Sequence, residues 1–196
     1  MKLYHSPASP FARKVVIVAR HHGIALDLVP TNPHVSPAGL LAANPLAKIP
    51  ALVTDEGLTL PDSPLICEYL DHVGTAEKLF PAAGGARWKT LRLVALADGM
   101  MTAAVLWRGQ SLSPVEAART ALMERQKAAI WRTLDLLEGE GVADALNIGT
   151  IGLVCALGYL DFRFAAEDWR AGHPRLAEFQ ESQMRAPLFA ETAPQG

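Results

Sequence analysis

A chain of 196 residues, half of them hydrophobic, is long enough to bury one large core or two small ones. Of its 18 basic and 20 acidic residues, six and seven fall within the first 80 positions. Neither half therefore offers the one-signed field that selects nucleic acid, and the net charge is only −2. No run approaches the roughly 18 unbroken apolar residues of a membrane span, and Met1-Lys2-Leu3-Tyr4 lacks the apolar stretch of about 7 to 15 residues that opens a secretory signal. These features predict a globular protein of the cytoplasm, with no nucleic-acid or membrane partner. Cys67 and Cys155, each in an apolar stretch, are expected to be free core residues, as befits a reducing compartment.

In chain order, Lys2 to His5 reads as a strand and Phe11 to His22 as a helix, with Phe11, Val15, Val18 and Ala19 at helical spacing before Gly23. Leu26 to Thr31 reads as a second strand. Beyond a loop rich in Pro, Ala and Asn, Ala51-Leu52-Val53-Thr54 and Leu58-Thr59-Leu60 flank Asp55-Glu56-Gly57, the pattern of a hairpin. A helix from Pro64 to His72 completes a small mixed sheet of thioredoxin-like topology. Helical windows follow near 87–108, 114–139, 147–166 and 173–185, with Ser113-Pro114 and His173-Pro174 setting Pro at a first turn. The expected organisation is a thioredoxin-like α/β domain over 1–78, a linker over 79–86 and an all-helical C-terminal domain over 87–196.

Three segments carry chemistry. In Ser6-Pro7-Ala8-Ser9-Pro10-Phe11, the pair Ser9-Pro10 has the form of an N-cap followed by Pro at the first helical position. A hydroxyl there, beside the positive end of the helix, also suits a bound anion such as a thiolate. In Lys48-Ile49-Pro50-Ala51-Leu52, Pro50 directly precedes a strand. A cis bond at Pro50 would turn the Ile49 backbone toward a ligand, where an extended peptide can pair like an added strand. Asp62-Ser63-Pro64 repeats the Ser-Pro helix start, placing backbone N–H groups and Ser63 for an α-carboxylate and Asp62 for an ammonium group.

In this order and spacing, Lys-Ile-Pro-Ala-Leu followed by Asp-Ser-Pro-Leu-Ile resembles the glutathione S-transferase family, and the helical half with His173-Pro174-Arg175-Leu176 extends the likeness over the whole chain. The resemblance implies that glutathione is a co-substrate, with no metal. It implies that Ser9 contacts the glutathione sulfur, Lys48 the glycyl carboxylate, Ile49 the cysteinyl backbone, and Asp62 with Ser63 the γ-glutamyl group, and that Pro50 is the family's cis proline. Phe11 and the loop residue His34 complete the glutathione-binding set. Asp98, Met101, Trp107 and Arg108 would lie on a helix facing a small hydrophobic electrophile, although such a stripe is more often core. A homodimer is implied as well.

Thiol-transferase relatives carry a cysteine where Ser9 stands. A serine forms no mixed disulfide, so Ser9 is expected to stabilise the glutathione thiolate, with Ser6 as the rival. Tyr4, inside the first strand, reads as core. The family's capping box of Ser or Thr with Asp is replaced by Asn147-Ile148-Gly149-Thr150, whose reciprocal bond is expected to be weak. The leading expectation is a transferase. A non-catalytic binding or regulatory module and a glutathione-dependent reductase or isomerase stand beside it.

Overall fold

The computed structural model describes residues 1–195. Four strands, β1 (Lys2–His5), β2 (Asp27–Pro30), β3 (Ala51–Val53) and β4 (Thr59–Pro61), form one sheet in the order β2-β1-β3-β4. β1 and β2 run parallel with Leu3 opposite Leu28, and they are joined through helix α1 (Pro10–His21). β3 lies antiparallel to β1 and β4, with Leu52 between Leu3 and Leu60. α1 and α3 (Ser63–Val73) pack together and bury Val15, Val18, Ile66 and Leu70 against Leu3 and Leu52. Short helix α2 (Ala38–Ala43), which the loop rich in Pro, Ala and Asn did not signal, covers the other face. Its Leu40 and Ala43 enclose Ala51, with Tyr4, Ile49 and Val53 packed against them. Tyr4 is thus a packing residue, as expected.

The remaining chain is helical: α4 (Gly84–Ser111), α5 (Ala117–Glu140), α6 (Ile148–Arg163), α7 (Trp169–Gly172), α8 (Pro174–Gln183) and α9 (Pro187–Ala190). α6 is buried along nearly its whole length and runs between α4, α8 and α1. Among the described residues only α4 is long and apolar enough to cross a membrane, a feature a search for unbroken runs does not detect. In the fold it lies along α5 and α6. Cys67 and Cys155 are free and fully buried. Burial pushes their thiols up to about 12 and about 11.

Two local expectations are corrected. α5 begins at Ala117 with Glu116 as its uncapped N-terminal neighbour, so Pro114 lies ahead of the helix and not in its first turn. The capping box at Asn147 forms in full: Asn147 Oδ1 accepts from the N–H groups of Gly149 (2.8 Å) and Thr150 (3.1 Å), and Thr150 Oγ1 accepts from the Asn147 N–H (3.0 Å). The shorter threonine reaches because its hydroxyl also donates to the Ala145 carbonyl at 2.9 Å, which fixes its rotamer.

Candidate functional site

Ser9 is the N-cap of α1, with extended backbone (φ −81°, ψ 121°) and Pro10 next in the helix. Its Oγ accepts from the Ala12 N–H at 3.2 Å, while its own O–H donates to no group among the described residues. Cap and donor are therefore compatible roles for one hydroxyl. Ser6 lies one turn earlier in the chain, where its Oγ accepts from the Ala8 N–H and its carbonyl from the Ser9 N–H.

The Ile49–Pro50 bond is cis. Asn44, buried, donates from Nδ2 to the Lys48 carbonyl at 2.8 Å and accepts at Oδ1 from the Leu46 N–H, which holds the turn in front of that bond. Neither the N–H nor the C=O of Ile49 has a backbone partner among the described residues, so the edge is open to pairing. The Lys48 side chain is exposed beside it.

At the start of α3 the structure reverses an assignment. Asp62, not Ser63, is the N-cap: its Oδ1 accepts from the Ser63 N–H at 2.8 Å. Ser63 is the first helical residue, fully buried, and its Oγ has no hydrogen-bond partner. Asp62 also sits at φ +70°, a backbone conformation costly for any residue with a side chain. A strained acidic cap beside an orphaned buried hydroxyl fits a missing polar ligand, since buried hydroxyls are normally paired. Phe11 is half-buried on α1 against the core, and His34 stands exposed on a single 3-10 turn, Pro33–Val35.

The second set of residues behaves differently. Asp98 pairs with Lys14, whose side chain is fully buried, through Nζ–Oδ1 and Nζ–Oδ2 distances of 2.6 and 2.8 Å. Burial raises the Asp98 carboxyl above its ordinary range, while Lys14 pulls it back. Met101 has no exposed surface and belongs to the core. Trp107 stacks on Phe164 at 4.1 Å between ring centroids, under the Lys127 ammonium. These three therefore do not line an open pocket: Asp98 is engaged in joining α1 to α4, and the other two turn toward the interior of the bundle. Arg108, like Asp98, remains partly exposed, and it makes no ion pair among the described residues. Beside it are Tyr159 and Arg163 of α6, which sequence reading missed because 147–166 reads as one apolar helix.

This architecture defines a class: a thioredoxin-like domain with two helix starts and a cis-proline edge at one end of its sheet, followed by a helical domain. Residues 3–74 match the model of the glutathione S-transferase N-terminal domain, and 120–179 that of the C-terminal domain. The chain belongs to the glutathione S-transferase family. It is 35% identical to the uncharacterized GST-like protein YibF of Escherichia coli K12 over 99% of this chain and 98% of that one. It also resembles a glutathione transferase family member from Pseudomonas fluorescens Pf-5 solved with bound glutathione, at 39% identity and TM-score 0.91, covering 100% of this chain and 99% of that one. A second such structure from that organism, at 38% identity and TM-score 0.86 with full coverage of both chains, holds S-(propanoic acid)-glutathione.

Proposed function

We propose that the protein is a glutathione transferase of the cytoplasm, which binds glutathione on residues 1–78 and adds its sulfur to an electrophile held against the helical domain of 87–196. The observation that carries this reading is the orphaned, fully buried Ser63 hydroxyl under the strained Asp62 cap, on the same sheet end as the cis Ile49–Pro50 edge and the Ser9 hydroxyl. Together they supply what a γ-glutamyl-cysteinyl peptide requires. Asp62 takes the ammonium group, Ser63 and the α3 N-terminus take the α-carboxylate, Ile49 pairs with the cysteinyl backbone, and Lys48 takes the glycyl carboxylate. Phe11 and His34 flank that peptide in this reading.

The sulfur then lies at the positive end of α1, where the free O–H of Ser9 donates to the thiolate. A free thiol has a pKa of about 8.5, so a depression of about two units leaves most of the bound glutathione nucleophilic at pH 7. Ser9 itself forms no covalent bond in this reading, because no basic side chain hydrogen-bonds to its hydroxyl among the described residues. The reading also includes a homodimer. It is supported by the apolar residues left uncovered on α4 and on the first domain, among them Val105, Leu106, Leu58 and Leu65. The decisive experiment is calorimetry with glutathione together with turnover on aryl halide, disulfide, peroxide and enone partners. Glutathione binding with aryl transfer is expected. Binding without turnover on any partner would favour a non-catalytic module, and turnover confined to disulfide or peroxide a reductase.

A further inference from the structure

On the facing sides of α4 and α6, Arg108 and Arg163 stand without an ion-pair partner among the described residues. Gly152 of α6 faces Ala97 of α4 so closely that a Cβ on Gly152 would lie 3.3 Å from the Ala97 Cβ, and Lys14 of α1 passes the same point at 3.9 Å. Residues seven and four apart share a helix face. On α6 the steps Gly152, Tyr159 and Arg163 therefore follow one face. On α4 the steps Ala97, Ala104 and Arg108 follow the face opposite it. Trp107 and Phe164, next in the chain to Arg108 and Arg163, stack at 4.1 Å between ring centroids, which sets the two arginines level with one another on the facing helices, and the charge of both acts on the Tyr159 hydroxyl.

α1 enters this cleft from the side. Arg13, one turn beyond Ser9, lies against Gly158, where a Cβ would collide with its Nη1, and it donates to the Val154 carbonyl. α1, which carries Ser9 at its start, packs on both α6 and α4, the two helices that carry the arginines.

Neighbouring acids are already engaged: Asp98 by Lys14, Asp161 by Arg170 and the Trp169 indole, and Glu167 by Lys127. Arg108 and Arg163 make no ion pair among the described residues. The Arg163 guanidinium lies over the Phe162 ring, 3.9 Å from its centroid. Each arginine stands half-buried in the last turn of its helix, where the carbonyl end favours a cation, and an anion between them would be attracted by both.

We propose that the electrophile accepted here carries a carboxylate, bound between Arg108 and Arg163 with the Tyr159 hydroxyl as a third donor. Burial raises the Tyr159 hydroxyl above its ordinary pKa, so it remains a donor at neutral pH. The inference rests on glutathione occupying the adjoining groove and concerns only what its sulfur is joined to. The small hydrophobic electrophile implied by the family resemblance is thereby replaced by an acidic one.

The test compares two glutathione conjugates of nearly equal shape by calorimetry, S-(2-carboxyethyl)glutathione and its amide S-(2-carbamoylethyl)glutathione, with glutathione as reference. The wild-type protein is expected to bind the acid about tenfold more tightly than the amide, the equivalent of one charged hydrogen-bonded contact. Arg163→Gln and Arg108→Gln are each expected to reduce that ratio, and the double variant to bring it to about one. Arg163→Lys, which keeps the charge, should retain part of it. Equal affinities for acid and amide in the wild type, with glutathione itself bound, would overturn this inference alone. If glutathione fails to bind, the underlying reading and this inference fall together.

Discussion

On the proposed glutathione side of the site, Ser9, Asp62 and Ser63 come from helix starts and Ile49 from a strand edge, all within the first 63 residues. On the proposed electrophile side, the polar groups sit on the facing sides of the last turns of two long helices, at Arg108, Tyr159 and Arg163. The first kind of site uses backbone N–H groups that exist because a helix must begin somewhere, and the side chains merely finish what the backbone offers. The second kind depends on which faces of α4 and α6 meet. Between them stands the buried Lys14–Asp98 pair, which ties α1, and with it Ser9, to α4. Perturbing the pair should disturb both sides, whereas changes at Asp62 or Ser9 should stay on one.

The largest effect is therefore expected at that pair. Asp98→Ala leaves the Lys14 ammonium buried without a partner and should destabilise the protein by about 3 to 5 kcal/mol. A denaturant midpoint measured against wild type reads this directly. Lys14→Met with Asp98→Leu removes both charges and should recover most of the loss. A single variant as stable as wild type would show that the two sides are not coupled through this contact.

Next comes Asp62→Ala, which removes a charged partner from the proposed ligand and should weaken glutathione by roughly ten- to a hundredfold, or about 1.5 to 3 kcal/mol. Calorimetry decides it, and unchanged affinity would remove Asp62 from the site. Ser9→Ala is expected to leave that affinity nearly intact and to raise the thiol pKa of bound glutathione. Aryl transfer at pH 7 should then fall by about one to two orders of magnitude and recover partly at higher pH, where the thiolate forms unaided. Coincident ultraviolet thiolate titrations for wild type and variant would reduce Ser9 to a helix cap and shift the role to Ser6 or a backbone N–H.

The smallest effect concerns the helical half alone. Thr150→Val keeps the shape but removes both the bond to the Asn147 N–H and the donation to Ala145, and it should lower stability by about 1 kcal/mol with the glutathione site untouched. Thermal denaturation checks the first part and calorimetry the second.

The order of strands and helices, the cap at Ser9 with Pro10 in the first turn, the turn before Pro50 and the helix start near Ser63 were all legible in the sequence. Each is a local event, set by the φ of proline, by a side-chain oxygen within three residues of an unpaired N–H, or by alternation over a few positions. Helix α2 was not legible, because Ala38 to Ala43 has no cap or charge pattern of its own and is held by Leu40 and Ala43 packing on Ala51. The cap at Asp62 was misassigned by one residue because its positive φ is imposed by the exit from β4, which no composition rule anticipates. The deeper failure was on α4. Asp98, Met101, Trp107 and Arg108 share one helix, and periodicity alone could not say which of them would meet Lys14, the core or the cleft. Only the close approach of α4 to α6 at Ala97 and Gly152 decided that, and it left Arg108 partly exposed while Met101 went to the core. What a sequence determines locally it writes within a few residues; which faces pack is decided by the summed burial of whole helices against one another, and that sum exists only in the folded chain.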